Sequence, residues 1–178
     1  MTQFPEERPR VFVIDVDGVM TDGKSYYTAD GKVMKTFGPD DHDGICLLRD
    51  HLDIQFVSGD RRGFEISAAR IARDMGFPLE LVSSVRRADW IAERWPLDQT
   101  IYMGDGIFDD AVLRAVGYGI APANGDTRAR DAADFVTQRS GGDRAVAEAC
   151  LHILDHFFNA SADACTANTT AVAGGWTT

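Results

Sequence analysis

The chain has 178 residues, enough for one domain at the usual ~100–200 residues each. Its 44% apolar and 26% charged residues form an ordinary globular composition, which excludes the disordered and fibrous classes. The 18 Lys plus Arg against 28 Asp plus Glu leave a net charge of −10, which opposes general affinity for nucleic acid or an anionic membrane surface.

Residues 1–10 form a polar N-terminal extension without an apolar leader core, and no stretch approaches the ~18 apolar residues of a membrane span. Val11-Phe-Val-Ile14 is β-branched and apolar, so it predicts a buried strand that ends at acidic and glycine residues. Lys24–Thr28 and Lys32–Phe37 flank Ala29-Asp-Gly31 and predict a β-hairpin. Ile45, Leu48 and Leu52 have helical spacing, and Ile54–Val57 is a second buried strand ending at Ser58-Gly59. Phe64–Met75 predicts a helix stopped by Gly76. Strands at 79–82, 100–103, 118–121 and 135–137 then alternate with helices at 87–95, 109–116, 127–132 and 143–158. Parallel neighbours need crossovers, so this alternation predicts an α/β fold, a parallel sheet with helices on both faces. After residue 159 the chain turns to Ala, Thr, Gly and Ser, and 159–178 is expected to be a disordered tail. Cys46, Cys150 and Cys165 lack CxxC spacing, so neither a disulfide framework nor a zinc site is expected, and a cytoplasmic protein is.

Three predicted strands end in polar residues: Asp15-Val-Asp-Gly18, Ser58-Gly-Asp60 and Gly104-Asp-Gly106 with Asp109 following. In an open parallel sheet these ends line one edge, where ligands bind. Any one of these aspartates could merely cap a helix or fill a turn. Several on one edge repel each other unless a cation lies among them, and oxygen ligands of this charge suit Mg²⁺.

Together, Asp15-Val-Asp-Gly-Val-Met-Thr-Asp-Gly23, the Ser58-Gly59 strand end and Gly104-Asp-Gly-Ile-Phe-Asp109 resemble the haloacid dehalogenase (HAD) superfamily of phosphohydrolases. The hairpin after the first motif, the lack of an inserted cap domain and Ser140-Gly-Gly-Asp-Arg-Ala-Val146 resemble its 3-deoxy-D-manno-octulosonate 8-phosphate phosphatase branch. The similarity spans 11–158, the expected phosphatase domain, and implies a Rossmann-like core. It also implies catalytic roles for Asp15, as nucleophile, and Asp17, as acid and then base. Mg²⁺ would be held by Asp15, Asp105 and the Asp17 carbonyl, with Asp109 supporting them. Ser58 and Gly59 would bind phosphoryl oxygens.

The superfamily places a lysine near the start of the helix after the third strand, and Val82–Asp89 contains none. Arg87, which sets Ile91 toward the core, or Arg86 would have to take that role. The branch also usually carries arginine after the second-motif glycine and an Arg-Asp-Gly run after the hairpin. Here these positions read Asp60 and Asp40-Asp-His-Asp43. Asp41, His42 and Asp60 are therefore candidate substrate-pocket residues, with a helix cap as the alternative for Asp41 and Asp43 and a solvent-facing loop position for His42. Such a pocket favours a neutral sugar phosphate over a keto acid. The expected partner is a small phosphate ester in carbohydrate or secondary-metabolite biosynthesis, with no nucleic acid and no membrane. By analogy with capless relatives, a homo-oligomer such as a tetramer would cover the open site. The other functional readings are a non-catalytic assembly subunit, suggested by the missing lysine, and a phospho-Asp receiver module, which Asp17 and the GDGxxD segment argue against.

Overall fold

A computed structural model of the protein describes residues 8–160. The expected tail lies outside them from residue 161 onward, with Cys165 and Trp176.

Six parallel strands form the sheet: β1 (Val11–Asp15), β4 (Asp53–Ser58), β5 (Leu79–Leu81), β6 (Thr100–Met103), β7 (Tyr118–Ala121) and β8 (Phe135–Val136), in the order β5-β4-β1-β6-β7-β8. The hairpin of β2 (Thr21–Thr28) and β3 (Gly31–Phe37) is a separate antiparallel pair directly after β1. The chain moves from β1 outward on one side through β4 and β5, then returns to β6 on the other. The crevice between β1 and β6 is thus the switch point at which α/β sheets bind ligands.

Side-chain alternation along β1 explains why its sequence is apolar at every position before Asp15. Phe12 and Ile14 join one core layer with Phe56, Ile45 and Ile153, whereas Val11 and Val13 join another with Ile91, Tyr102 and Val112. The first layer lies under α1 (Asp41–Leu48) and α6 (Ala145–Ile153), and the second under α3 (Arg87–Ala92), α4 (Asp109–Ala115) and α5 (Thr127–Ala132). Each of these fully buried aliphatic side chains contributes roughly 1.5–3 kcal/mol of transfer free energy. The predicted helix 64–75 is α2 (Phe64–Ala68) continuing as the π-helical turn Ala69–Asp74, with Ile71 in the first layer. The last helix likewise continues past α6 through Leu154–Phe158.

The Ser140-Gly-Gly segment packs on the loop after β1. A Cβ at Gly141 would fall 1.8 Å from the Gly18 carbonyl oxygen, so only glycine allows this approach. The Gly142 N–H donates to the Val19 carbonyl at 3.0 Å, fixing the two loops together.

Candidate active site

Asp15 closes β1 at the crevice and is buried, with Oδ1 accepting from the Val16 N–H at 2.8 Å. The chain then makes a wide turn through Val16–Met20, held by Thr21, whose Oγ1 accepts from the Gly18 N–H at 3.1 Å. Gly18 has φ +90°, and a Cβ there would lie 2.0 Å from Asp105 Oδ2. Glycine after Asp17 thus meets two needs: left-handed backbone, and room for a carboxylate from the neighbouring strand end.

Asp105 follows β6, and Asp109 opens α4. Carboxylate oxygens of Asp15, Asp105 and Asp109 lie within 4.8 Å of one another. Burial, followed by repulsion from Asp15 and Asp109, pushes the Asp105 carboxyl up to about 8. Burial likewise pushes the Asp15 carboxyl up, against the attraction of Arg87. Such a cluster is unfavourable at neutral pH without a positive charge, and its hard oxygen donors fit a divalent cation of the Mg²⁺ class.

A cation of the protein itself already reaches this cluster. Arg87, at the start of α3, is 1% exposed, and its Nη1 donates to Asp15 Oδ2 at 2.8 Å and to Asp109 Oδ1 at 3.0 Å. The same nitrogen, whose two hydrogens are shared among three acceptors, also lies 2.6 Å from the Tyr102 hydroxyl, which in turn donates to Asp109 Oδ1 at 2.6 Å. Asp109 Oδ2 accepts from the Gly106 N–H at 2.8 Å and so holds the Gly104–Ile107 loop. Arg86, the other candidate, is exposed and pairs with Asp89 at 3.3 Å. Of the two arginines, Arg87 is the one that the fold brings to Asp15.

Across the crevice, buried Ser58 ends β4. Its Oγ donates to Asp17 Oδ2 at 2.8 Å and accepts from the Asp60 N–H at 3.1 Å. The other Asp17 oxygen, Oδ1, lies 2.6 Å from Lys35 Nζ of β3. Lys35 also pairs with Asp60 Oδ2 at 2.9 Å, and Lys32 pairs with the same oxygen. Burial would raise the Asp60 carboxyl, but hydrogen bonds from Lys32, Lys35 and the Gly63 N–H outweigh it and bring it down to about 2. The negative charge expected after the second-motif glycine is thus balanced by the hairpin.

These groups line one open cleft of about 490 Å³, which contains Asp15, Asp17, Gly59, Arg87, Asp105 and Asp109. Its outer wall is Ser25, Lys32, Asp60, Ser83 and Ser84, with Ile107 and Phe108 at the rim. Asp41 and His42 do not line it. Asp41 is buried between helices, with Oδ1 accepting from the Ala147 N–H of α6 at 3.0 Å, so it caps α6 and not its own helix. His42 meets the edge of Phe77 at 6.1 Å, and burial lowers its pKa.

Lys35 and Tyr102 are absent from the sequence-derived site. Nothing local marks Lys35: Val33, two residues before it, is exposed, and the strand pairing shifts between Lys32 and Met34. Tyr102 sits between Ile101 and Met103 in a buried strand whose pattern gives no sign of its hydroxyl's partners.

A family profile described as haloacid dehalogenase-like hydrolase matches residues 91–149. The 3-deoxy-D-manno-octulosonate 8-phosphate phosphatase of Haemophilus influenzae is 32% identical over 153 residues, covering 83% of this chain and 84% of that protein. The Yersinia pestis phosphatase of the same description is 30% identical over 155 residues, covering 82% and 79%. Among solved structures, the 3-deoxy-D-manno-octulosonate 8-phosphate phosphatase of Moraxella catarrhalis, in complex with magnesium, phosphate and KDO, superposes with a TM-score of 0.77 at 26% identity. The match covers 90% of this chain and 92% of that one.

Proposed function

The chain belongs to the haloacid dehalogenase-like hydrolases and, within them, to the 3-deoxy-D-manno-octulosonate 8-phosphate phosphatase family, and from that premise we propose that it hydrolyses a small sugar phosphate with Mg²⁺ through an aspartyl phosphate on Asp15. The observation that carries this reading is the Asp15–Asp105–Asp109 cluster, buried at Asp15 and Asp109 and half-buried at Asp105, with Arg87 seated on Asp15.

A carboxylate oxygen of Asp15 bonds to phosphorus as the bond from phosphorus to the sugar oxygen breaks, and Asp17 gives that oxygen its proton. A water oxygen then bonds to phosphorus, the Asp15–phosphorus bond breaks, and Asp17 takes a proton from the water. The sugar alcohol and inorganic phosphate leave, and both aspartates return to their starting forms. Ser58, the Gly59 amide and Arg87 bind the phosphoryl oxygens, whose charge grows on transfer. Asp15, Asp105 and the Asp17 carbonyl would hold Mg²⁺, with Asp109 supporting them, and the ion would neutralise the nucleophile and the phosphate. The place of Arg87 on Asp15 supports its taking the role of the missing lysine, and with it the catalytic reading over the non-catalytic one.

The sugar end of the cleft supports a neutral sugar phosphate over a keto acid. It offers Ser25, Ser83 and Ser84 hydroxyls and a Lys32–Asp60 pair whose charges cancel, so among the described lining residues at this end no unpaired cation awaits a second carboxylate. The proposal extends to a homo-oligomer in which a second copy covers the hairpin's exposed Tyr26, Tyr27, Val33 and Met34.

The test is phosphate release from a panel of neutral and keto-acid sugar phosphates, with Mg²⁺, with EDTA and with Asp15→Asn. Turnover that needs both Mg²⁺ and Asp15 and prefers neutral sugars is expected. Preference for keto acids would overturn the pocket reading alone, and the absence of metal-dependent release from every ester would overturn the whole.

A further inference from the structure

We infer that Lys35, delivered by the hairpin, is a positioning residue for Asp17; the inference rests on the assignment of Asp17 as the acid and base of the reaction. The Lys35 side chain is wholly buried, and its ammonium has three acceptors: Asp17 Oδ1 at 2.6 Å, Asp60 Oδ2 at 2.9 Å and Ser67 Oγ at 2.8 Å. An ammonium has three hydrogens, so every donor is used and the group has one orientation. A buried charge is costly unless it is paired in this way.

The three acceptors come from separate parts of the chain. Asp17 follows β1, Asp60 follows β4, and Ser67 lies in α2. Lys35 thus locks the hairpin, the phosphate-binding strand end and the loop of Asp17 into one arrangement. With Oδ1 held by Lys35, Asp17 turns Oδ2 toward Ser58 and the cleft. When a phosphoryl group engages Ser58, Lys35 is the remaining contact fixing the Asp17 carboxylate. When Asp17 is ionised, as it is when it acts as base, four charges make up this corner, Lys32 and Lys35 against Asp17 and Asp60, and they balance one another.

A purely structural role, tying down the hairpin, would impair all steps alike. A positioning role divides them, because p-nitrophenolate is a leaving group that needs no proton, whereas hydrolysis of the aspartyl phosphate still needs Asp17 as base. The experiment follows p-nitrophenyl phosphate with Lys35→Met in rapid-mixing kinetics and measures phosphoenzyme in acid-quenched samples by intact mass. The expected result is a first-turnover nitrophenol rate within about threefold of wild type, a steady-state rate lower by about tenfold to hundredfold, and phosphoenzyme that accumulates. With a sugar phosphate, whose leaving oxygen needs a proton, the first turnover falls as well.

Should Lys35→Met fail to fold, the pair Lys35→Met/Asp60→Asn removes one charge of each sign, keeps the corner neutral and carries the same expectation. Equal loss in both phases without phosphoenzyme, or no loss at all, would overturn the inference while wild-type turnover leaves the phosphatase reading standing. No nitrophenol release by the wild type that depends on Asp15 would instead overturn that reading, and this inference with it.

Discussion

Arg87 Nη1 lies 2.8 Å from Asp15 Oδ2, with both side chains buried, so the first residue of α3 neutralises the last residue of β1. Burial opposes the guanidinium's charge, yet Asp15 and Asp109 outweigh it and hold its pKa well above the ordinary value. Arg87→Met leaves both carboxylates without this partner. The expected cost is about 3–5 kcal/mol of stability in metal-free protein, read by urea unfolding. The same variant should lose about 10²–10³ in kcat/KM, because the phosphoryl charge also loses a donor. Loss of activity with unchanged stability would show that Asp15 does not depend on Arg87 in the free enzyme.

Tyr102→Phe tests the hydroxyl that joins Arg87 to Asp109. Burial keeps this phenol protonated, so it donates to Asp109 while accepting from Arg87. Its removal should cost about 1–2 kcal/mol in thermal or chemical unfolding, because two charged groups lose one partner in a dry setting. The kcat should fall by about tenfold through looser placement of Arg87. A variant as stable and active as wild type would reduce Tyr102 to core packing.

The strand ends were legible because the chemistry is concentrated within a few residues of each predicted β-strand terminus. Val11–Ile14 announces a strand covered on both faces, Asp15 and Ser58 end their strands, and Asp105 comes two residues after its own. Placement across the sheet was harder to read. Arg86 and Arg87 are adjacent, and only the turn Ser84–Arg86 decides which of them begins α3 facing inward. Asp41 is a candidate pocket residue, or a cap of its own helix, because the branch's Arg-Asp-Gly run falls there, but α1 packs on α6 and carries it away from the cleft. Lys35 serves a site built from β1, β4 and α2, and a partnership set by tertiary folding leaves no local pattern.

Asp41 gives a pH-dependent prediction for stability. Burial, against hydrogen bonds from Ala147 and Val146, raises its carboxyl to about 6, and its Oδ2 is buried without a partner. A folded pKa above the unfolded value means that the native state binds the proton more tightly. Stability from this group is therefore present in full below about 4, and it is lost as pH rises through about 6. Asp41→Asn keeps an acceptor for the Ala147 N–H and removes the buried charge. It should raise stability by about 2 kcal/mol at pH 8 and by little at pH 4, as measured by urea unfolding at both values. An equal difference at the two pH values would contradict a buried titrating carboxyl.

The hairpin prediction concerns association. Tyr27 is 62% exposed and Met34 50%, both outside the six-stranded sheet's cores. Tyr27→Asp combined with Met34→Asp should shift the mass seen by light scattering toward the monomer and leave the circular dichroism spectrum unchanged. A monomeric wild type would remove the oligomer from the proposed function.

Mg²⁺ should stabilise the fold through the same cluster that drives Asp105 upward. An ion that binds the native state alone adds RT ln(1 + [L]/Kd), about 2.7 kcal/mol at a hundred times Kd, so the melting temperature should climb with Mg²⁺ concentration. Asp105→Asn removes one donor and one source of repulsion together. The variant should therefore be more stable than wild type in EDTA and gain little from Mg²⁺, because burial and its two carboxylate neighbours are what destabilise Asp105. Calorimetry of both proteins with and without the ion separates these effects. A Mg²⁺ response that survives in Asp105→Asn would place the ion elsewhere, and equal stability of the two proteins in EDTA would mean that Arg87 already relieves the repulsion unaided.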